Sequence, residues 1–447
     1  MATSSKRPDH VIDFIHDTSI DDIPASTLAF GQRCLLDLLG VAAAGRTTEL
    51  STVIHDHAVK HFGSTELSTP LLFDGRNASP AGAALAAGMT IDSIDAHDGH
   101  KLVKGHVGCH QLPALLAFTC AEGLTSPTDF LASLVVGYEI ATRAGIALHA
   151  TAPDYHTSGA WGALSCAALG ARILGMDHAT TFEAMGIGEY HGPRSQMMRV
   201  IDHPTMLKDG SGWGAMAGVS AAYLAADGFT GAPAVSVNDP KVATIWGDLG
   251  SRWRIEEQYF KPFPVCRWAQ PAVEATLALC LEHSISAAQV ASIHVATFTE
   301  AARLVMAIPQ TTEHAQYSLP FPVAAAVVRG TVGAVEVTTA LNDPTIRALA
   351  QRVEISEDDR HNDAFPANRF ARVTLRLIDG TEFVSTDTEP RGDPENHLSD
   401  LEIRDKFAGL AHPVLGADRS KNVEVGVDSL IDADSLESLF QLIFEAV

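Results

Sequence analysis

Apolar residues recur every three or four positions across residues 21–228, and small side chains fill many of the places between them. This spacing is typical of amphipathic helices packed against one another. One helix start is explicit, because Ser126 is a capping residue followed by Pro127 and by Asp129 in the first turn. Asp177 holds the same place before a later apolar run. The pattern predicts a lobe of packed helices, with helices at 25–45, 79–94, 110–122, 158–174 and 211–226.

After about residue 264 the pattern changes, because segments of period two alternate with helices such as the one predicted at 270–282. Residues 372–377 alternate apolar with polar side chains, as a half-buried strand does. Asp379-Gly380 is a hairpin turn signal ahead of a second strand at 382–384. Residues 293–297 alternate in a similar way. This part of the chain predicts a small α/β domain with an antiparallel sheet.

The acidic stretch 357–363 is interpreted as a solvated loop, since runs of charge mostly face water. Helical spacing resumes at 401–410 and 436–444, and these helices are expected to return to the first lobe. The predicted fold is therefore mainly α, with a large all-helical domain and a smaller α/β domain. Residues 1–265 and 398–447 form the large domain in this prediction, and residues 266–397 form the small one.

The composition narrows the classes of function. The 447 residues are 46% hydrophobic and 19% charged, as in an ordered globular protein, and the formal net charge is -23. Nucleic acids and anionic membranes bind clustered lysine and arginine, so the acidic balance argues against both as partners. A small anionic substrate would need a local cationic pocket. The six cysteines are scattered singly and no apolar run of about 18 residues stands out, which predicts reduced thiols, no membrane span and a cytoplasmic location.

The segment from Asp95 to His110 is the strongest candidate for chemistry. Its sixteen residues contain two acids, two lysines and four histidines within an apolar, helical region. Histidine exchanges protons near neutral pH, and lysine supplies fixed positive charge for an anion. The segment therefore suggests a loop that binds a carboxylate and transfers a proton. Two alternatives stay open: a divalent-metal site, although no specific metal-ligand spacing is present, and a solvated loop in which Asp98, His100 and His110 are surface or supporting residues.

Three other places carry candidate residues. His156 precedes the small-residue helix at 160–174, whose N-terminus favours an anion, although a plain cap by Ser158 with an exposed histidine explains the same residues. Arg199 and Lys208 flank a glycine-rich entry into a helix, which lacks the strand-first order of a dinucleotide or phosphate loop. The proline-framed turn from Lys261 carries Cys266, either a nucleophile or an inert buried thiol.

Several of these segments, in this order and at these separations, resemble the MmgE/PrpD family. This family includes 2-methylcitrate dehydratases, cis-aconitate decarboxylases and iminodisuccinate epimerases. The resemblance covers nearly the whole chain. The segments that carry it are Ile94-Asp95 to His106, His156 before its helix, Met206-Leu207-Lys208-Asp209-Gly210, Lys261-Pro262-Phe263-Pro264, Gln316-Tyr317-Ser318-Leu319-Pro320-Phe321, and Gly392 to Ser399 ahead of Lys406-Phe407.

The resemblance implies a helical domain with a smaller α/β lid domain, a homodimer, no organic cofactor and a pocket between the domains. His106 and His156 would transfer protons, Asp95 would orient a histidine or lysine, and Tyr317 would donate a hydrogen bond or proton. Lys208 and Lys261 would bind substrate carboxylates as cations. Four further substrate-binding candidates come from the residues themselves and not from the resemblance: Lys101, Lys104, Arg199 and Cys266.

Two positions depart from the family pattern and bear on the substrate. Gly99 stands where decarboxylase-like members have a threonine, and Gln270 stands where many members place a histidine. The loop also carries His97, His100 and two lysines in place of the common acidic form. These differences predict a more cationic pocket for a different anion.

The function that these features predict is a cofactor-free lyase that abstracts a proton next to a carboxylate of a small polycarboxylate. A hydro-lyase similar to 2-methylcitrate dehydratase is the first prediction, and a decarboxylase or epimerase of the same family is the alternative. A metal-dependent hydrolase using Asp95, His97, His100 and His106 is an alternative from another class. A non-catalytic binder that keeps the fold is a third possibility.

Overall fold

The computed structural model describes residues 9–447, so the first eight residues of the predicted large domain lie outside the described part. Before residue 247 the chain is mostly helical. The helices predicted at 25–45, 79–94, 110–122, 158–174 and 211–226 are present, with ends within two residues of the prediction. All the helices of this part are α1 Asp9–Asp17, α2 Ala25–Gly45, α3 Glu49–His61, α4 Pro80–Asp92, α5 Gly108–Ala121, α6 Pro127–Thr151, α7 Gly159–Ile173, α8 His178–His191, α9 Met198–Asp202, α10 Ser211–Ala226, α11 Val235–Asn238 and α12 Ala243–Trp246.

The predicted helix caps are present in the structure. The Ser126 side chain accepts a hydrogen bond from the backbone N–H of Asp129 at 3.2 Å, and Pro127 occupies the first turn. Asp177 accepts a hydrogen bond from the backbone N–H of Thr180 at 2.8 Å at the start of α8. Each cap satisfies a backbone donor that the first helical turn leaves without a partner, which fixes where α6 and α8 begin.

Glycines let α4 and α10 pack in direct contact. A Cβ atom added at Gly88 would lie 2.6 Å from the Cα of Gly212 on α10, closer than any side chain tolerates. This contact matters for the site, because α4 ends at Asp92 and α10 begins at Ser211. The close packing therefore brings together the two loops that carry most of the candidate residues.

The C-terminal helices pack against the N-terminal helices. They are α20 Asp400–Leu415, α21 Ala417–Asp428 and α22 Glu437–Phe444. Phe407 of α20 packs on Gly40 of α2, where an added Cβ would lie 2.9 Å from the Phe407 ring. One hydrophobic core contains the buried residues of these helices together with those of the N-terminal half.

Two helices of this domain are apolar enough and long enough to cross a membrane by composition alone, which the sequence analysis did not single out. In α2 and α6 the most apolar stretch is 83% and 94% buried inside the protein, respectively. The apolar side chains of these helices thus pack within the large core.

A second hydrophobic core forms from residues 263–377. The helices here are α13 Gln270–Glu282, α14 Thr299–Ala302, α15 Thr312–Gln316, α16 Pro320–Arg329, α17 Ala334–Val337, α18 Pro344–Ala350 and α19 Asp359–Ala364. The strands of the chain are β1 Thr69–Pro70, β2 Asn77–Ala78, β3 Gly99–His100, β4 Gln258–Tyr259, β5 Val290–Thr297, β6 Val353–Glu357, β7 Ala371–Leu377 and β8 Glu382–Val384. Two buried residues of the short helix α9, Val200 and Ile201, also pack into this second core.

The four-stranded sheet of the small domain has the order β6-β5-β7-β8. The β5–β7 and β7–β8 pairs are antiparallel, as predicted, but β5 and β6 are parallel. The sheet is therefore mixed rather than wholly antiparallel. The physical reason is the long connection between β5 and β6. It contains five helices and carries the chain back to the end of the sheet where β5 starts, so that β6 runs in the same direction as β5.

The acidic stretch is not a loop throughout, so that interpretation was wrong in part. Residues Asp359–Ala364 form α19, whose cap is the Asp358 side chain bound to the backbone N–H of Arg360 at 3.0 Å. His361 on this helix is buried, and its Nε2 lies 2.9 Å from Oδ1 of Asp387. The acids at the start of this segment cap a helix in addition to facing water.

A two-stranded ribbon ties the histidine-rich segment to the turn before the small domain. In this ribbon Gly99 of β3 pairs with Tyr259 of β4, and His100 pairs with Gln258. Gly99 has no room for a side chain, because an added Cβ would lie 2.4 Å from the Tyr259 hydroxyl. The ribbon holds the two segments side by side at the junction of the two cores.

Candidate active site

A buried cavity lies between the segment that follows α4 and the turn that enters the small domain. Its volume of about 30 Å³ is enough for about one water molecule. Both domains contribute to its wall. The residues that line it are Asp95, Lys104, His106, Tyr155, Met197, Tyr259, Lys261, Cys266, Arg267, Trp268, Tyr317 and Arg369.

His106 is held in one orientation and one tautomer. Its Nδ1 lies 2.6 Å from the carbonyl oxygen of Asp98, which can only accept, so Nδ1 carries the proton. Nε2 of the neutral ring is then a free base at the cavity wall. Burial, together with the positive charges of Lys261 and His97, holds the pKa of His106 well below 6.5. The imidazole is therefore neutral and able to accept a proton at neutral pH.

Lys261 and Asp95 form a fully buried ion pair. The Lys261 Nζ lies 2.8 Å from Oδ1 of Asp95 and 2.9 Å from its carbonyl oxygen. Asp95 adopts a left-handed backbone conformation with φ of 53°, which turns both groups toward the lysine. Although burial opposes it, the charges of Lys261, Lys208 and His97 lower the pKa of Asp95, so this carboxyl is ionised. Its Oδ2 has no hydrogen-bond partner among the described residues.

Lys208 is the second buried lysine. Its Nζ donates to Oε1 of Gln316 at 2.5 Å and lies 4.6 Å from the centre of the Tyr317 ring. Lys208 thus meets a neutral amide and an aromatic face, which leave its positive charge uncompensated by direct contact. Burial and nearby carboxylates raise the pKa of Tyr317 well above 10, so its hydroxyl remains a neutral donor at the cavity wall.

Asp209 connects this lysine segment to the histidine. Oδ2 of Asp209 accepts a hydrogen bond from the Ser158 hydroxyl at 2.9 Å and lies 3.8 Å from Nε2 of His106. The Ser158 oxygen in turn accepts from the backbone N–H of His106 at 2.9 Å. Burial and the negative charges of Asp92 and Asp95 raise the pKa of Asp209 to about 7. A carboxyl that holds a proton near neutrality thus lies beside a neutral imidazole.

The raised pKa of Asp209 predicts a pH dependence of stability. The native state keeps this proton from about pH 4 to about pH 7, where an unfolded aspartate has lost it, so the contribution of Asp209 to the free energy of unfolding falls with rising pH across that interval. Asp209→Asn should remove this contribution, which changes the slope by on the order of 1 kcal/mol per pH unit at most. Urea unfolding between pH 5 and pH 8 measures the slope.

Two features refine that measurement. Burial also raises the pKa of Asp98 to about 6, so part of the slope below pH 6 should survive in Asp209→Asn. The control is Asp21→Asn at an exposed position, which should keep the slope of the wild type. An Asp209→Asn variant with an unchanged slope would show that Asp209 is ionised throughout this range.

Asp98 contacts the site through His106. The sequence predicts it to be a surface or supporting residue. It is fully buried, accepts a hydrogen bond from the Tyr138 hydroxyl, and accepts another from the backbone N–H of Gly108 at 3.1 Å. Its carbonyl oxygen is the one that binds His106. Asp98 therefore positions the histidine through its backbone, and its side chain anchors the start of α5.

His156 is not brought to the cavity. Its ring is partly exposed, and Nδ1 lies 2.8 Å from the carbonyl oxygen of Asp154. The neighbouring Tyr155 lines the cavity instead, with its hydroxyl hydrogen-bonded to the carbonyl oxygen of Lys104. The predicted proton-transfer role of His156 therefore has no geometric support in this conformation.

The four other predicted substrate-binding residues lie in different places. Lys104 and Cys266 line the cavity, and burial raises the pKa of the Cys266 thiol to about 12, so it is not a thiolate nucleophile. Lys101 lies outside, paired with Asp393 at 3.0 Å and Glu395 at 2.8 Å. Arg199 is exposed and lines a separate cavity of about 420 Å³ that Lys208 also borders.

The four residues of the metal-site alternative do not all converge on one point. Both ring nitrogens of His100 are occupied, Nε2 by Glu257 at 3.1 Å and Nδ1 by the backbone N–H of Leu102. Asp95 and His97 do approach each other, and with Asp92 they place three ligand atoms within 4.8 Å. The Lys261 ammonium already balances Asp95, and His97 hydrogen-bonds Asp92 at 3.1 Å. A divalent cation there would meet positive charge at close range, so the geometry favours lysine over a metal as the partner of these acids.

Sequence reasoning missed several cavity residues. Tyr155, Tyr259 and Arg369 carry no motif signal of their own, and their role depends on the folding of distant segments. Arg267 directly follows the candidate Cys266 and also lines the cavity, but the sequence predicts no function for it. Asp209 lies inside the segment Met206-Leu207-Lys208-Asp209-Gly210 and contacts the site through Ser158, and the sequence predicts no function for it either. Gly99 could have indicated Tyr259, because a glycine in a strand often marks a place where another group approaches closely.

These observations define a class: a helical domain and a small α/β domain that together enclose a buried acid–base cavity rich in cations. The chain belongs to the MmgE/PrpD family, since residues 9–242 match the MmgE/PrpD N-terminal domain and residues 263–430 match the MmgE/PrpD C-terminal domain. This confirms the resemblance found in the sequence motifs. The relatives are enzymes, which is consistent with a lyase.

Similarity to three relatives extends over almost the full chain. A cis-aconitate decarboxylase-like protein, oryM, of Aspergillus oryzae is 24% identical over 94% of each chain. The cis-aconitate decarboxylase of Mus musculus is 23% identical, covering 96% of this chain and 91% of its own. That of Homo sapiens is also 23% identical, covering 96% of this chain and 92% of its own.

Proposed function

We propose that this protein is a lyase that moves a proton at a carbon next to a carboxylate of a small polycarboxylate, with His106 as the acid–base residue. The observation that carries the proposal is the geometry of His106, which is fixed through Nδ1 and presents a neutral Nε2 to a buried, cation-lined cavity. A general base needs this combination of fixed direction and available lone pair.

The cations around the cavity supply the second requirement. Removing a proton next to a carboxylate builds negative charge on an enolate, and fixed positive charge in a site that excludes water stabilises that charge. Lys261 and Lys208 are both buried near Tyr317, which lines the cavity. The Tyr317 hydroxyl remains protonated and is suited to donate a hydrogen bond to a developing oxyanion.

Dehydration fits the protonation state of His106. The neutral imidazole takes the proton from carbon through Nε2, the electron pair forms the new double bond, and the hydroxyl on the next carbon leaves as water after it receives a proton. We assign that second proton to Asp209, which has a pKa of about 7 and lies 3.8 Å from Nε2 of His106, while Tyr317 donates a hydrogen bond and keeps its own proton. This is the hydro-lyase predicted from the sequence.

Decarboxylation is the second candidate, and the relatives favour it, because the three similar proteins are named for cis-aconitate decarboxylase activity. In that reaction the bond to the carboxylate breaks, its electron pair stays on the substrate carbon, and a proton must be delivered there. In this mechanism Asp209, whose Oδ2 lies 3.8 Å from Nε2 of His106, protonates the imidazole, which then delivers the proton to carbon. The two reactions thus share the same proton-transfer residues.

The size of the cavity adds one requirement. A volume near 30 Å³ holds about one water molecule, whereas a tricarboxylate has more than ten heavy atoms. Substrate binding therefore requires the cavity to widen. Its wall is shared between the two cores, so relative movement of the two domains is the simplest way to widen it.

Proton NMR of chelator-treated protein in D2O tests the proposal. The panel of substrates is citrate, 2-methylcitrate, cis-aconitate, tartrate and iminodisuccinate. We expect deuterium next to a carboxylate or a new product for at least one compound, and no such change with His106→Ala. Loss of water marks a hydro-lyase, release of CO2 marks a decarboxylase, and exchange without loss marks an epimerase.

Two outcomes would contradict the proposal. Activity that appears only after a divalent metal is added would favour the metal-dependent hydrolase. Binding of a polycarboxylate without exchange or product would favour a non-catalytic binder that keeps the family fold.

A further inference from the structure

Arg369 is a buried cation, and two of its guanidinium nitrogens have no hydrogen-bond partner among the described residues. It lies in the small domain, two residues before β7, and its side chain lines the cavity with only 2% of the residue exposed. Its Nε and Nη1 are buried and have no hydrogen-bond partner among the described residues. The guanidinium contacts the face of Tyr259, whose ring centre lies 5.7 Å from Cζ.

The neighbouring cations of the cavity wall are satisfied in ways that Arg369 is not. Lys261 is paired with Asp95 at 2.8 Å, and Arg267 is paired with Asp393 at 2.6 Å. Asp393 also receives Lys101 at 3.0 Å, which leaves this carboxylate already occupied by two cations. Arg369 lowers the pKa of Asp393 through space but forms no ion pair with it.

A guanidinium that is buried and lacks a partner is costly, because desolvation of the charge is not offset by hydrogen bonds. Proteins retain such groups where a ligand completes them. The planar fork of arginine matches a carboxylate through two parallel hydrogen bonds, a match that lysine cannot make. An anion that enters the cavity can therefore accept hydrogen bonds from the free donors of Arg369. The neutral base His106 lines the same cavity.

We propose that Arg369 binds a carboxylate of the substrate. The small domain would then take a direct part in recognising a polycarboxylate. The inference rests on the proposed function, because it places this carboxylate in the cavity where His106 acts. The Tyr259 ring centre lies 5.7 Å from Cζ of Arg369 and 4.6 Å from Cζ of Arg267, and these cation–π contacts help to hold both guanidinium groups. Gly99 makes room for this tyrosine, since a Cβ at position 99 would lie 2.4 Å from its hydroxyl. Gly99, which departs from the family pattern, therefore affects Arg369 through the position of Tyr259.

Calorimetric binding of tricarballylate tests the inference without requiring turnover. Tricarballylate is a tricarboxylate with no hydroxyl group or double bond to react. Arg369→Met should weaken its binding by about 10- to 100-fold, the effect of losing a charge-assisted hydrogen-bond pair. Arg369→Lys keeps the charge without the fork and should give an intermediate loss. The loss should be smaller with glutarate or succinate, each of which lacks one of the three carboxylates.

The matched control is Arg372→Met, three positions further along the same segment. Arg372 is partly exposed and paired with Asp387 at 2.6 Å, away from the cavity residues. This variant should bind tricarballylate within about twofold of the wild type, the scatter expected for a surface substitution.

Melting temperature separates recognition from a structural role. Because Arg369→Met removes an uncompensated buried charge, it should melt at the same or a higher temperature than the wild type without ligand, and should lose most of the stabilisation by tricarballylate. If Arg369→Met does not fold, Arg369→Lys decides the question. Binding of tricarballylate by Arg369→Met within threefold of the wild type overturns the inference, as does unweakened binding by Arg369→Lys.

The inference and the proposed function fail in different ways. Wild-type protein that binds tricarballylate through Arg369 but shows no proton exchange with any substrate keeps the inference and removes the lyase. Wild-type protein that binds none of the three polycarboxylates removes Arg369 as a carboxylate site, whatever reaction the protein catalyses.

Discussion

His106→Ala should lower the turnover number by a factor on the order of 100 or more, which is the contribution expected of a positioned acid–base group. The reason is specific to this ring: Nδ1 is bound to the Asp98 carbonyl, so Nε2 is the base that faces the cavity. Deuterium exchange into substrate should fall by a similar factor. Binding of tricarballylate should change much less, because the carboxylates are bound by cations and not by the imidazole.

His156→Ala provides the informative comparison. The sequence resemblance predicts a loss of 100-fold or more for this variant as well, whereas the structure places the ring outside the cavity and bound to the Asp154 carbonyl. We therefore expect His156→Ala to reduce turnover less than His106→Ala. An equal loss would show that the 154–156 loop turns the imidazole into the cavity when substrate binds. An active His106→Ala variant would remove His106 from the mechanism.

The helical part of the fold could be predicted because its signals are long and local. The segments 25–45, 211–226 and 270–282 coincide with α2, α10 and α13, where apolar periodicity and helix caps agree. The parallel pairing of β5 with β6 could not be predicted, since it joins residues about 60 positions apart and depends on the helices between them. Pairing across such a separation is a property of tertiary structure.

The candidate site divides in the same way. Asp95, His106, Lys261 and Tyr317 lie in recognisable segments, and the fold brings all four to one cavity. The position of a motif does not specify which side chain of a loop points inward. The sequence therefore predicts a role for His156, whereas the neighbouring Tyr155 lines the cavity. Arg369 was missed because one arginine in a segment rich in charge gives no signal. What distinguishes it is the lack of a partner, which only the three-dimensional structure shows.

Lys261→Met should have the largest effect on stability. It removes one partner of a fully buried ion pair and leaves the Asp95 carboxylate, whose Oδ2 already has no hydrogen bond, without compensation. Breaking a buried pair in this way costs about 3–5 kcal/mol of the free energy of unfolding. Urea unfolding at pH 7 measures the loss. Arg376→Met, which breaks an exposed pair with Glu382, is the control and should change stability little.

The double variant Asp95→Asn/Lys261→Met separates the structural and functional parts of this pair. Both charges are removed, so most of the lost stability should return, because an uncharged buried pair carries no unbalanced carboxylate. Activity should not return, since the cavity still lacks the Lys261 cation that stabilises developing negative charge. A double variant that regains activity would limit Lys261 to balancing Asp95. A single Lys261→Met variant as stable as the wild type would show that Asp95 takes up a proton or a water molecule when its partner is removed.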